Sequence, residues 1–363
     1  MYGSDRAFVD CVNALRSAYP EAETEIILPY RGALEEELSN RGFRVSFENL
    51  FVVRRARFLR LLLSAPFSFP ASVWRAIHRL AAVDVVYVNT SVVLDYLVAA
   101  RWARKAIVHI HEIPEALTLR IIRAFLVFSR AALIFNSCSS RDAFALCAGR
   151  RQVSVVYNSV ELPAAASPIA FSPGKQLKIL LIGRINAWKG QDLLLDALSL
   201  LPQDRRGSVV ARIVGGTFAT NVALEDALRA RIWDSGLQDV VSMEPFQKDT
   251  APLYEWADVV AVPSRKPEPF GRVAIEAMSF GRPVMASAMG GIKEIVVDRS
   301  TGWLFPPNDA SALFALLLEI LNGRYDVAYM GKKAFDRCSE LFTSSRVDEA
   351  FLDFVRSVVD SKG

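Results

Sequence analysis

Glu268 and Glu276 stand eight positions apart in the segment Pro263 to Met278, which begins as a Pro-rich loop and continues as a helical pattern opening at Gly271. The loop holds Glu268 ahead of the helix, and the amides of Gly271, Arg272 and Val273 face the same side. Free amides and the helix macrodipole together favour an anion at such a start. Glu276 lies about a turn deeper. One short segment therefore offers amides for a diphosphate and two acidic acceptors for hydroxyls, the needs of a nucleotide sugar.

Further groups of this kind recur along the second half. In Ile182-Gly183-Arg184-Ile185-Asn186-Ala187-Trp188-Lys189-Gly190 an apolar strand ends at Gly183, and Arg184 and Lys189 sit on the loop before the next helix. A guanidinium and an ammonium so placed can meet one diphosphate. A solvated basic loop is the competing reading for this segment taken alone. Met289-Gly290-Gly291-Ile292 follows another strand and precedes a helix, where Gly290 and Gly291 allow a backbone to approach a ligand closely. No G-x-G-x-x-G follows a strand, no G-x-x-x-x-G-K-[ST] occurs, and neither G-x-S-x-G nor H-E-x-x-H is present. These absences count against dinucleotide oxidoreductases, P-loop NTPases, α/β-hydrolases and zincin metalloproteases.

The first half contributes histidines and arginines. His109 and His111 end the apolar run Ile107 to Glu112, and strand alternation puts both on one face. His111, at the carboxyl end, is expected to touch a ligand, and His109, one pleat deeper, to be structural. Between Asn49 and Val83 there are six arginines (Arg54, Arg55, Arg57, Arg60, Arg75, Arg79) and no acid, interleaved with Phe51, Phe58, Phe67, Phe69 and Trp74. That mixture suits an anionic membrane surface, and Arg54, Arg55, Arg57 and Arg60 are expected to meet it or an acceptor. No nucleic-acid recognition signature accompanies the basic stretch.

The elements that must position these groups are legible from short β-runs separated by helical stretches. In the first half the runs are Glu25 to Pro29, Arg44 to Phe47, Val83 to Asn89, Ala106 to His111, Ala132 to Asn136 and Val153 to Tyr157, with a helix from Ala33 to Asn40. Leu162 to Pro168 and Ser172-Pro173-Gly174 have no period and read as a linker. After it come strands at Lys178 to Ile182, Ser208 to Val214, Val240 to Met243, Val259 to Val262 and Pro283 to Ala286. The pattern predicts an α/β fold of two doubly wound parallel-sheet domains, 1–165 and 166–340, with a ligand at the carboxyl ends of the strands in a cleft between them. At 363 residues and 52% hydrophobic content, each domain can bury its own core. No apolar run reaches the roughly 18–20 residues of a membrane span, and the first residues lack the apolar stretch of a signal peptide. Cys11, Cys138, Cys147 and Cys338 form no ligand spacing and read as free thiols of a cytoplasmic protein without a structural metal.

These residues resemble the family-4 retaining glycosyltransferases of the GT-B fold. The resemblance rests on G-R-x(4)-K-G from Gly183 to Gly190, E-x(7)-E from Glu268 to Glu276, E-A-M-x-x-G-x-P-V from Glu276 to Val284, the Gly290-Gly291 pair and Thr301 to Phe305. Gly3, His111 and Tyr157-Asn158-Ser159 match more loosely. The resemblance implies a hexose transferase that keeps the anomeric configuration, needs no metal or cofactor, and uses a UDP- or GDP-linked sugar as donor. It implies donor-diphosphate contacts from Arg184 and Lys189, sugar-hydroxyl contacts from Glu268 and ribose contacts from Glu276. Phe270, Gly271, Arg272, Gly290 and Gly291 would line the donor site, His111 would sit near the reacting carbon, and Gly3 would lie in a loop closing over the phosphates. The acceptor would be a lipid-linked or growing glycan on the cytoplasmic face of a membrane, and residues 341–363 a C-terminal helix returning to the first domain. A nucleotide-sugar epimerase or hydrolase, or a non-catalytic binding protein, are the competing readings. The chain departs from the family in three places. Only two residues precede Gly3, where the family has a strand, so that strand is expected to be lost or to lie upstream. Asn158-Ser159 replaces Asn-Gly, and Met243 to Phe246 lacks a glycine beside the base pocket.

Overall fold

The computed structural model describes residues 3–52, 58–145, 151–166, 168–217 and 222–361, with backbone only for 58–67. The chain divides into two compact units, 1–158 with 344–363, and 159–343.

The second unit is a six-stranded sheet of β7 (Leu177–Ile182), β8 (Val209–Val214), β9 (Val241–Glu244), β10 (Val259–Val262), β11 (Val284–Ser287) and β12 (Gly302–Phe305), where the first unit holds β1 to β6. Its order is β12-β11-β10-β7-β8-β9, and every pairing is parallel. Each residue of β10 and β11 is buried, as strands covered on both faces require. The chain winds outward from β7 to β9, then returns to β10 beside β7 and winds the other way. The order therefore reverses between β7 and β10, and in open α/β sheets a crevice opens there at the carboxyl ends. The loops carrying Arg184 to Gly190 and Pro263 to Gly271 leave those two ends. The strand β12, which Gly302 opens, was not among the β-runs expected from the sequence.

The first unit contains β1 (Glu25–Leu28), β2 (Arg44–Phe47), β3 (Val85–Val88), β4 (Lys105–Ile110), β5 (Ala132–Phe135) and β6 (Val153–Val155). Here the expectation of one continuous sheet fails. Among the described residues, β1 pairs only with β2, and β3-β4-β5-β6 form a separate parallel sheet that ends at β3. Helices tie the two pieces together. On one side the helix Gly3–Ala18 sets Val9 and Val12 among Ile26 and Leu28, while its Phe8 stacks on Tyr87 of β3 with ring centroids 6.3 Å apart. On the other side Ile27 packs with Val86 and Val88 against Ala76, Ile77 and Leu80 of the helix Phe58–Leu80. The helix Ser344–Val359 belongs to this unit and sets Val347, Phe351, Val355 and Val358 among Ile107, Ala132 and Ile134.

Candidate active site

In the second unit the two loops at the switch point brace each other. Asn186 Oδ1 accepts from the amides of Trp188 at 2.9 Å and Lys189 at 3.0 Å, turning the chain sharply so that Lys189 points back across the loop. Gly190 then adopts φ +72°, and a Cβ there would lie 1.9 Å from Pro263 O, so only glycine lets the β7 loop seat on the end of β10. The buried Gln191 amide donates to Arg184 O at 3.0 Å. From the other loop, Arg265 N donates to Trp188 O at 2.7 Å, and the Arg265 guanidinium grips Asp192. The Trp188 indole donates to Lys266 O at 3.0 Å.

Those braces bring Lys189 and Glu268 into contact. Lys189 Nζ lies 2.6 Å from Glu268 Oε1, and Ser264 Oγ donates to the same oxygen at 2.6 Å. Glu268 is 8% exposed and Ser264 is buried. A charge-assisted pair of that length in a largely water-excluded place is well oriented, and both partners lose by separation.

Gly271 caps the helix Arg272–Ser279 at φ +114°. Glu276, one turn in, accepts from the Tyr254 hydroxyl at 2.9 Å and faces Arg272 Nε at 3.6 Å. Gly290 and Gly291 permit a close approach of one loop backbone to another. A Cβ on Gly290, at φ +63°, would lie 2.3 Å from Glu268 O, and the Gly291 amide donates to that carbonyl at 2.9 Å. The pair thus seats the β11 loop on the Glu268–Phe270 backbone and fixes where Glu268 stands. Phe270 is buried, with its ring edge-on to Phe342 at 5.8 Å.

In the first unit His111 follows β4 and its Nε2 lies 2.9 Å from Asn89 Oδ1. Asn89 Nδ2 donates to Ser4 O at 3.3 Å, which orients the amide, and Tyr87 OH donates to Asn89 Oδ1 at 3.1 Å. His109 Nδ1 lies 2.7 Å from Tyr87 OH. The two imidazoles share a face, as alternation requires, with centroids 4.0 Å apart. Burial, and then the neighbouring His111, push His109 well below the ordinary histidine range, so it is neutral. Burial likewise raises the Cys11 thiol, 4.0 Å from His109, to about 12. Glu112 accepts from Thr90 Oγ1, Ser91 N and Ser91 Oγ through one oxygen and from His111 N through the other. Gly3, expected in a loop, is the first residue of the helix Gly3–Ala18. Arg54, Arg55 and Arg57 lie outside the described residues, and Arg60 lies in the backbone-only part of the helix Phe58–Leu80. Among the described residues no cluster of His, Cys, Asp and Glu could hold a metal ion, and no helix is long and apolar enough to cross a membrane.

Residues 165–337, which hold the braced loops, match the family described as glycosyl transferases group 1. That match spans most of the second unit. The chain is 30% identical over 287 residues to a D-inositol 3-phosphate glycosyltransferase of Streptomyces avermitilis, covering 71% of the chain and 62% of the relative. It is 35% identical over 214 residues to the protein of that name from Jonesia denitrificans, covering 53% and 49%. The chain thus spans less than two thirds of the length of these relatives. Among solved structures it is similar to Anabaena HepE in complex with UDP-glucose, with a TM-score of 0.78, 24% identity, and 98% and 96% of the two chains covered. It is equally similar to a glycosyltransferase from Rickettsia africae, with a TM-score of 0.79, 18% identity, and 99% and 95% covered. The fold is the GT-B fold expected from the sequence.

Within the region that matches the group 1 family, the structure brings Lys189, Glu268 and the Gly290-Gly291 pair together, and places Glu276 on the same loop-and-helix segment as Glu268. Sequence reading missed Ser264, Tyr254, Gln191, Asn89 and Glu112. Ser264 alone carried a local signal, four residues before Glu268 in the same loop.

Proposed function

We propose that this chain is a retaining hexosyltransferase that moves a sugar from a nucleotide sugar to a lipid-linked or growing glycan. The observation that carries the reading is the Lys189–Glu268–Ser264 contact at the switch point, beside the helix start at Gly271. A diphosphate arriving there meets the amides of that helix start with Arg184 and Lys189, which stabilise the negative charge that grows on the leaving group. Glu268, released from Lys189 by the competing phosphate, accepts hydroxyls of the sugar. Glu276 accepts from the ribose. The acceptor attacks from the face that the diphosphate leaves, and the departing phosphate oxygen takes its proton, so configuration is retained without a protein nucleophile or a metal. His111, oriented by Asn89, contacts the sugar near the reacting carbon. The UDP and UDP-glucose in the HepE structures make UDP the first nucleotide to try.

The test is a metal-free thermal-shift panel of UDP, GDP, ADP and their sugar conjugates. A ligand at a hundred times its Kd adds about 2.7 kcal/mol to a protein that binds it only when folded. One nucleotide is expected to raise the melting temperature, and Arg184→Ala to abolish that rise. A cooperative melt that no nucleotide shifts would overturn the reading. Hydrolysis or epimerisation of the donor without acceptor would replace transfer by the corresponding activity.

A further inference from the structure

We infer that Tyr254 is a positioning residue that aims the Glu276 carboxylate and thereby sets how strongly the site prefers a ribonucleotide to its deoxy analogue. This deepens the proposed function and rests on Glu276 meeting the ribose.

Tyr254 sits in the helix Ala251–Trp256 and is fully buried, and its hydroxyl donates to Glu276 Oε2 at 2.9 Å. Its own position is fixed from two sides. Its ring stacks on Phe280 with centroids 5.4 Å apart and planes 19° apart. Its carbonyl accepts from Arg282 Nε at 2.8 Å, and the same buried guanidinium also holds Glu255 O at 3.1 Å and Pro168 O at 3.2 Å. A donor this rigid pins one carboxylate oxygen, while Arg272 Nε stands 3.6 Å from the other. A glutamate on a helix otherwise samples several rotamers, and a freely moving acceptor is a poor judge of one hydroxyl. A hydroxyl discriminates best when the protein group that accepts it is already oriented and is left unpaired by the analogue that lacks it.

The test is calorimetry of UDP, 2′-deoxy-UDP and 3′-deoxy-UDP, or the guanosine set if the nucleotide panel selects GDP, on wild type, Glu276→Gln, Tyr254→Phe and the double variant. Wild type is expected to favour the ribonucleotide over at least one deoxy analogue by roughly tenfold or more, the range for a hydrogen bond to a charged group. Glu276→Gln and Tyr254→Phe should each cut that ratio to about threefold or less, mainly by weakening UDP, and the double variant should add nothing further. A purely structural Tyr254 would instead weaken all nucleotides equally and keep the ratio. If Glu276→Gln loses the ratio and Tyr254→Phe keeps it, the positioning role is wrong and the ribose contact stands. If Glu276→Gln keeps it, or wild type binds no nucleotide, the ribose reading fails and this inference falls with it. Should Tyr254→Phe melt without cooperativity, 3-fluorotyrosine at position 254 retains the ring and makes the phenol a stronger donor. A ribose preference that ignores that change overturns the proposal.

Discussion

Glu268→Gln is expected to lower kcat by roughly two to three orders of magnitude while leaving UDP affinity within about threefold. The side chains are nearly isosteric, so the loops at the switch point keep their braces. What disappears is the charge on the oxygen that Lys189 Nζ and Ser264 Oγ now share at 2.6 Å each. A carboxylate accepts more strongly from sugar hydroxyls as positive charge grows on the ring, so its loss falls on the transition state. Lys189, released from its partner, remains available to the diphosphate, so the bare nucleotide should bind as well or better. Initial rates with the sugar donor and calorimetry with UDP separate the two quantities. A rise in KM with unchanged kcat would place Glu268 in ground-state binding and remove it from the chemistry.

The largest stability effect is expected at Arg282. Its fully buried guanidinium donates to Tyr254 O, Glu255 O and Pro168 O and thereby joins the expected linker segment at Pro168 to the helix Ala251–Trp256. Arg282→Ala leaves those carbonyls without this donor and opens a cavity, at a cost of about 3–5 kcal/mol. In a unit of this size that corresponds to a fall of roughly 6–20 °C in melting temperature. Arg282→Lys should recover less than half, because an ammonium cannot span the carbonyls that a planar fork reaches. Calorimetric melts of the three proteins decide it, and an alanine variant within about 1 kcal/mol of wild type would show that the clamp contributes little.

Local patterns foretold much of this architecture. The β-runs at Val259 to Val262 and Arg44 to Phe47 are strands with those bounds, and the helix Ala33–Asn40 ends where Gly42 follows. Short-range chemistry was equally legible: a Pro-rich loop followed by Gly271 does open a helix, and His109 and His111 do share a face. What escaped depends on crossovers between distant segments. Nothing local to Lys189 says that it meets Glu268, or that Tyr254 meets Glu276, because the sheet order creates those neighbours. Nothing local to the glycines at 290 and 291 says that the Glu268 backbone lies against them. Phe270 beside a helix start gave no hint that its ring turns inward to Phe342.

The divided sheet of the first unit implies two levels of cooperativity in one body. Backbone ladders hold β4 and β5 between neighbours on both edges, whereas among the described residues β1 and β2 pair only with each other and depend on side chains of the flanking helices. Side-chain packing is lost in smaller steps than a closed ladder, so the pair should form a separate opening unit below the global transition. Native-state hydrogen exchange is expected to show the ladder amides of Ile26, Leu28 and Ser46 opening at lower free energy and lower denaturant than those of Ile107, Val108 and Leu133. Equal opening energies for both sets would mean that the helices alone weld the unit. Otherwise the helix Gly3–Ala18 acts as a clasp across a seam, and anything that loosens it, including a change at Ser4 where Asn89 is held, would be felt at His111 before the rest of the chain responds.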